Sequence, residues 1–381
     1  MKEAPDKEIH NERCLCFGGV GPPLSLFPAD RVRRYTSGRQ ALMALGQVLQ
    51  LTRQSIVLLP AFVPEGVYAP FAAIGVTIRF YAVNEVLDPV WEVLESELAK
   101  ASVRVAVLIH FFGMTKPAAR FRELCDSYGT LMIEDLAHVM PSGDDSIGTS
   151  GDCVLYSFPK IVGVPDGAGI VIRHDTLQAA SWPMQRDWRR IPYIAGATLN
   201  LVASTVSRRV ARSKVERVAR RSLAYLTQSY RMLMSFYHRP TAMSRLSESL
   251  LERTPWLEIV KHRRTLEKIY SERLDPVAFR PYPYSVDATH ASMGYAVRVA
   301  NRASLVSFLA DRAIHGAFFE YKWNYFPDGK EHETGRQAMR EHFLFPTAYS
   351  LSVTEVQAVA DAANEWARQS SRTSRESGGI A

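Results

Sequence analysis

Cysteine is scarce: the chain has four in 381 residues, Cys14, Cys16, Cys125 and Cys153. They are too few and too scattered for a disulfide framework, so free thiols are expected, and a lone C-x-C pair is little evidence for a metal. His332 and His342 also lack metal-ligand spacing, and no metal site is expected. No apolar run reaches the roughly 20 residues that cross a bilayer, and the charged, proline-containing start lacks the order of a secretory signal. A cytoplasmic location is the default expectation. Most of the chain also lacks an excess of positive charge. The net charge is +7, but residues 207–221 hold seven cations (Arg208, Arg209, Arg212, Lys214, Arg217, Arg220 and Arg221) against Glu216 alone, a net +6 that leaves +1 elsewhere. This excludes a general electrostatic affinity for nucleic acid. There is no phosphate-binding P-loop and no Ser-His-Asp arrangement. The glycines at 18–21 run into Pro22 and Pro23 with no strand before them, so they are no dinucleotide loop.

What is present is apolar bulk, 47% of residues with 10% aromatic, enough for a large domain and a smaller one. Residues 1–30 read as an arm. From 31 to 255 the hydrophobic pattern alternates: strands over 55–62, 76–83, 103–111, 131–134, 153–158 and 169–172, helices over 64–74, 91–100 and 116–128. Such alternation implies βαβ crossovers and a three-layer α/β/α domain with a mostly parallel sheet. The rhythm breaks at an insertion of about 185–235 that carries the basic stretch. A solvated helical face is its leading reading; a helix lying on an anionic membrane surface is the minority one. Residues 256–368 form a smaller α+β unit, with helices over 258–274 and 302–314, a strand over 294–300 and an aromatic-rich strand over 318–326. Ser352 and Glu355 have capping-box spacing before the last helix. Residues 369–381 read as a disordered tail.

The chemistry converges on residues 131–172. Ligands of parallel sheets bind at the carboxyl ends of strands, and His110, Asp135, His138, Ser157 and Lys160 all fall there. Asp135 ends a buried strand and needs a cationic partner, such as a protonated pyridine nitrogen. Ala137 is small enough to lie beneath a ring, and His138 can hydrogen-bond its phenolic oxygen. Lys160 can form an imine if its surroundings hold it. Ser37 is a natural N-cap, and the helix start at Gly38, Arg39 and Gln40, with Ser157, suits a phosphate. Taken one at a time, these residues read equally as a capped helix, a core histidine and a turn lysine. Together they describe a pyridoxal 5'-phosphate site.

The ordered motifs resemble the nucleotide-sugar aminotransferases of the DegT/StrS group, within fold-type I pyridoxal-phosphate enzymes. Ser37-Gly38-Arg39-Gln40-Ala41-Leu42 is similar to the family's S-G-T-x-A-L segment, and His110-Phe111-Phe112-Gly113 to V-H-x-x-G. Glu134 to His138 resembles E-D-A-A-H/Q, and Gly151-Asp152, Ser157-Phe158, Lys160 and Gly167 to Gly169 resemble its G-D, S-F, K and G-G series. Ala242-Met243-Ser244 and Arg263-Arg264 resemble its R-M-S and R-R stretches. The resemblance implies Lys160 as the cofactor's lysine and proton shuttle, Asp135 on the pyridinium and His138 near the phenolic oxygen. It places Ser157, Arg39 and Gln40 around the phosphate. It implies amino transfer from an amino acid, expected to be glutamate, to a nucleotide-linked keto-sugar, in a homodimer serving surface polysaccharide or secondary-metabolite synthesis. Elimination on a sugar-like substrate and a non-catalytic scaffold are the alternatives. Three positions depart from the pattern, one being Arg239-Pro240-Thr241-Ala242-Met243 where the family has N-Y-R-M. Ser157 to Lys160 is short and contains Pro159, and the usual ring-stacking aromatic falls at Pro64, leaving Phe62 or Tyr68 to replace it.

Overall fold

The computed structural model describes residues 9–10, 14–23, 26–100, 102–143, 147–207, 239–283, 289–318 and 329–377. The basic stretch of the insertion and the aromatic cluster at 321–325 therefore lie outside the described residues.

The large unit alternates as its hydrophobic pattern requires: β1 (Val32–Tyr35), α1 (Gly38–Val48), β2 (Ile56–Pro60), α2 (Glu65–Ile74), β3 (Thr77–Tyr81), α3 (Trp91–Lys100), β4 (Val103–Ile109), α4 (Ala118–Ser127), β5 (Leu131–Asp135), the two-residue β6 (Val139–Met140), β7 (Cys153–Ser157) and β8 (Ala168–Ile172). Seven of these strands form one sheet in the order β1-β8-β7-β5-β4-β2-β3. The pairs from β3 to β7 are parallel, whereas β8 runs antiparallel between β7 and β1. Strands β2, β4, β5 and β8 are buried almost end to end because helices cover both faces. The antiparallel turn at β8 matters for the site. It returns the chain so that Gly167 and Ala168 lie beside Ser157, at the edge where β5 and β7 end.

The insertion opens with α5 (Ile191–Ser207), and α6 (Arg245–Glu252) closes the large unit. The smaller unit comprises α7 (Trp256–Arg273), β9 (Arg280–Pro281), β10 (Ala291–Ser292), β11 (Tyr295–Arg298), α8 (Arg302–Ala310), α9 (Glu333–Glu341), β12 (His342–Phe345) and α10 (Val353–Ser377). Strands β9, β11 and β12 form an antiparallel sheet whose apolar face packs against α7, α8 and α10. The capping box forms: Ser352 N–H donates to Glu355 Oε2 at 2.8 Å, and Glu355 N–H donates to Ser352 Oγ at 3.2 Å. The tail expected to be disordered from residue 369 is instead helical to Ser377. The reason is local: Gln369 donates to Glu365 and Ser371 to the Ala367 carbonyl, extending an already nucleated helix. All four cysteines are free thiols. Among the described residues, no helix is long and apolar enough to cross a membrane.

Among the contacts that join the units, a strand pair and a buried arginine bear on the site. β10 pairs with β6, and Gly113 (φ 89°) permits this because a Cβ there would lie 2.4 Å from that of Ser292. Buried Arg263 on α7 donates to the carbonyls of Ile161 and Ser292, each at 3.1 Å, and to Thr347 Oγ1 at 3.3 Å. Burial pulls its guanidinium down to about 10, with Glu267 and Cys16 pulling the other way. Replacing Arg263 by Met should strand those carbonyls and the buried Glu267, lowering stability by about 3 kcal/mol in urea unfolding. A change within about 0.5 kcal/mol, the range of an ordinary surface substitution, would contradict this account.

Candidate active site

The site is built on the last two residues of β5. Successive strand residues face opposite sides, so Glu134 and Asp135 enter different surroundings. Glu134 is 1% exposed and accepts from His110 Nε2 (2.9 Å) and from the amides of Gly148 (2.8 Å), Ser150 and Gly151 (both 3.0 Å). Burial works against its charge, but the His110 bond and those amides outweigh it and hold the carboxyl below the usual range. His110 is fixed in turn, since its Nδ1 accepts the Lys116 N–H at 3.2 Å. Glu134 thus stitches the loop after β5 to β4.

Asp135 meets the other side. It is 2% exposed and accepts the Ala137 N–H at 2.8 Å. Burial pushes its carboxyl up, against the opposing pull of Lys160, the Ala137 amide and His110. Lys160 reaches this neighbourhood because the short Ser157–Lys160 spacing closes as a single 3-10 turn, Phe158–Lys160. Pro159, with its φ fixed, suits the first turn of a helix, where an N–H would have no acceptor. Phe158 N–H donates to the Gly167 carbonyl, tying this turn to the start of β8. Lys160 is half-buried and acts electrostatically on both Asp135 and His138.

His138 is 1% exposed, and its Nδ1 accepts the Phe112 N–H at 3.1 Å, which leaves Nε2 as the protonated nitrogen. Burial, then the charges of Lys160 and His342, hold it well below the normal histidine range. Phe112 adopts φ 56°, a conformation side chains disfavour. Its ring lies nearly parallel to His138 (8°, centroids 6.0 Å) and to His342 (18°, 5.4 Å). His342 is pushed down to about 3, chiefly by burial.

The start of α1 presents hydroxyls without protein partners. Ser37 occupies the N-cap position but its side chain makes no cap bond, and the buried Thr36 Oγ1 has no hydrogen-bond partner. The first amides of any α-helix lack intrahelical acceptors and carry its positive pole. Ser157, at the end of β7, also makes no side-chain cap bond, and its backbone pairs with Ala168. At Gly38 an added Cβ would meet only Leu155, at an ordinary 3.5 Å.

Three side chains expected around the cofactor, those of Arg39, Gln40 and Phe62, have protein partners instead. Arg39 reaches toward Glu65 of α2, Nη2 to Oε2 at 3.9 Å. Gln40 is buried and its Oε1 accepts the Thr241 N–H at 3.0 Å, so it pins the 239–243 segment to α1. Phe62 has no accessible surface, with its ring against Phe111, Phe112 and His342 at centroid distances of 5.0, 6.0 and 5.8 Å. A ring enclosed in this way has no face for a cofactor, and Tyr68 stacks on Phe80. The sequence reading missed Phe112 and His342 as supports of His138, and Asp166, which accepts from the hydroxyls of Ser244 and Ser247 at 2.5 Å each. Only the V-H-x-x-G word signalled Phe112.

Residues 30–185 match the sequence model of the DegT/DnrJ/EryC1/StrS aminotransferase family. Solved structures with the same fold include the aminotransferase TlmJ from Streptoalloteichus hindustanus, with a TM-score of 0.65, 18% identity and 93% of each chain covered. The PLP-form of the putative sugar aminotransferase Spr1654 from Streptococcus pneumoniae matches with a TM-score of 0.64 and 12% identity, over 92% of this chain and 93% of that one. NtdA from Bacillus subtilis, with bound cofactor PMP, matches with a TM-score of 0.61 and 15% identity, over 88% of this chain and 73% of that one. No curated protein matches. The fold is that of fold-type I aminotransferases.

Buried neutral histidines make an acid-sensitive fold. The unfolded chain takes up protons near pH 6.5 that the folded His138 and His342 refuse. Their contribution is fully present above that pH and is lost as pH falls toward their folded values. The raised carboxyls of Asp135 and Glu267 act in the opposite sense. His342→Gln should therefore flatten the fall in melting temperature between about pH 6.5 and pH 4. An unchanged slope would remove His342 from the account.

Proposed function

We propose, on the premise that residues 30–185 carry the DegT/DnrJ/EryC1/StrS aminotransferase domain, that the protein is a pyridoxal-phosphate-dependent aminotransferase acting on a keto-sugar. Glutamate as donor and a nucleotide-linked acceptor are our finer reading, drawn from the family resemblance, as is a homodimer. The observation that carries the proposal is the convergence of Asp135, His138 and Lys160 at the ends of β5 and β7.

The residues present fit the cofactor. A buried carboxyl pushed up by its surroundings is one that a protonated ring nitrogen would bring back down. Thr36 Oγ1, buried without a partner beside a helix N-terminus, belongs to a phosphate-binding donor set. The PLP-form of Spr1654 and PMP-bound NtdA support the same group. In this reading the α1 amides with Ser37 and Ser157 hold the phosphate, and Asp135 holds the ring cation. Ala137 leaves room beneath the ring.

When bound, pyridoxal phosphate supplies an electron sink for the pair left as a proton departs from the amine-bearing carbon. The chain supplies the rest. Asp135 keeps a positive charge on the ring nitrogen in place. His138, neutral and with its proton on Nε2, donates to the ring oxygen without adding a second cation beside Lys160. Lys160 Nζ would hold the cofactor and, when free of it, would be the base that takes the proton from the amine-bearing carbon. The 3-10 turn over Phe158–Lys160 fixes the backbone from which that amine would act.

Purified protein given pyridoxal phosphate should develop a visible absorption band that Lys160→Ala abolishes, with activity lost by at least about a thousandfold. Adding glutamate should convert the band to the amine form of the cofactor. Protein that stays colourless would overturn the reading, and a band that glutamate leaves unchanged would overturn amino transfer from that donor. Asp135→Asn should retain the band but lower kcat/KM by about a hundredfold or more. Full activity in that variant would remove Asp135 from the chemistry.

A further inference from the structure

The outer face of α5 is the surface that the fold leaves unexplained. From Ile191 to Ser207 the helix contains no charged residue. One stripe is buried against the body: Tyr193, Ala197, Leu201 and Ser204 are 3–8% exposed. The opposite stripe is also apolar but open, with Ile191 64%, Leu199 57% and Val202 40% exposed, and Ala195 exposed between them. Trp188, just before the helix, is 77% exposed. A surface helix ordinarily turns polar residues outward, so an uncharged outer face calls for a cover.

Charge decides what kind of cover. Four residues before Trp188, Met184 (41% exposed) shares a pocket of about 430 Å³ with Arg33, Arg34 and Arg186, against the single acid Glu248. One N–H of Arg34 is buried there without an acceptor. The sequence that follows α5 carries seven cations and one acid between residues 207 and 221. An apolar helical face with a tryptophan and a cationic pocket before it in the chain, and a cation-rich sequence after it, matches a surface that is hydrocarbon inside and anionic at its rim. A symmetric contact between two copies through this face would bring the same cations toward each other.

We infer that the open face of α5, with Trp188 and the Arg33–Arg34–Arg186 pocket, is a docking surface for an anionic phospholipid bilayer. The helix lies in the interface plane and does not span, since no described helix is long and apolar enough to do so. This inference is independent of the active-site reading, because none of these residues contributes to that site.

The test is sedimentation of the full-length protein with phosphatidylcholine vesicles made with or without one third phosphatidylglycerol. We expect binding to the anionic vesicles only, weakened by raised salt. Leu199→Asp with Val202→Asp should reduce binding by about tenfold or more while melting temperature and activity are kept. Should that pair disturb folding, Arg33→Glu with Arg186→Glu is the second variant and should weaken anionic binding alone. Three results would overturn the inference: no vesicle binding at low salt; binding that survives the variants; or a wild-type oligomer that Leu199→Asp with Val202→Asp dissociates, which would make a second copy the cover.

Discussion

Burying a carboxylate costs several kcal/mol unless donors replace the water it loses, and β5 ends in two of them side by side. Glu134 is satisfied by His110 and three amides from the loop that follows the strand. That arrangement fixes the loop and, through His110, the end of β4. Asp135 receives one amide and the field of Lys160. The asymmetry separates structure from chemistry. One carboxylate is paired fully and made permanent; the other is left with capacity for a cation. In the function proposed above, a site that holds a charged ring needs that division, because a fully satisfied Asp135 would have nothing left to offer.

The position of Lys160 depends on contacts from both units. Within the large unit, the turn is held by the Phe158–Gly167 backbone bond, and Gly167 (φ 137°) closes against Met243, whose Cε would be 2.6 Å from any Cβ there. From the smaller unit, Arg263 grips the carbonyl of Ile161, the residue after the lysine. Movement between the units would therefore be felt at Lys160. The same Arg263 holds Ser292 of β10, which pairs with Val139, the residue after His138. The segments that carry the lysine and the histidine are thus referenced to one buried guanidinium.

Much of this could be read from residue order, for identifiable reasons. Strands and helices of the large unit were legible because burial on both faces of a parallel sheet writes long apolar runs. Asp135 and Lys160 stood out because a charge at the end of such a run has few explanations. Phe62 was misread because aromatic type says nothing about whether a ring face is free, and here Phe111, Phe112 and His342 enclose it. Arg39 and Gln40 were assigned by their neighbours in the chain, whereas their side chains follow α2 and the 239–243 segment. His342 was illegible because it lies some 200 positions from His138 and stacks, like His138, on Phe112.

The insertion is joined to the site rather than merely appended to it. Tyr193 on the buried stripe of α5 donates to the Pro165 carbonyl, in the loop between Lys160 and β8. Arg190, immediately before the helix, lies 3.9 Å from Asp166, which also anchors Ser244 and Ser247 at the start of α6. Near its far end, Thr205 accepts the Leu15 N–H, while Gly163 is packed against Cys14 so closely that a Cβ would fall 2.1 Å from the Cys14 carbonyl oxygen. The inner face of α5 is therefore committed to the loop that carries the lysine, and its outer face is left uncharged. A helix built this way transmits any load on its outer face to Pro165 and Asp166, so what covers α5 bears on how firmly the lysine loop is held.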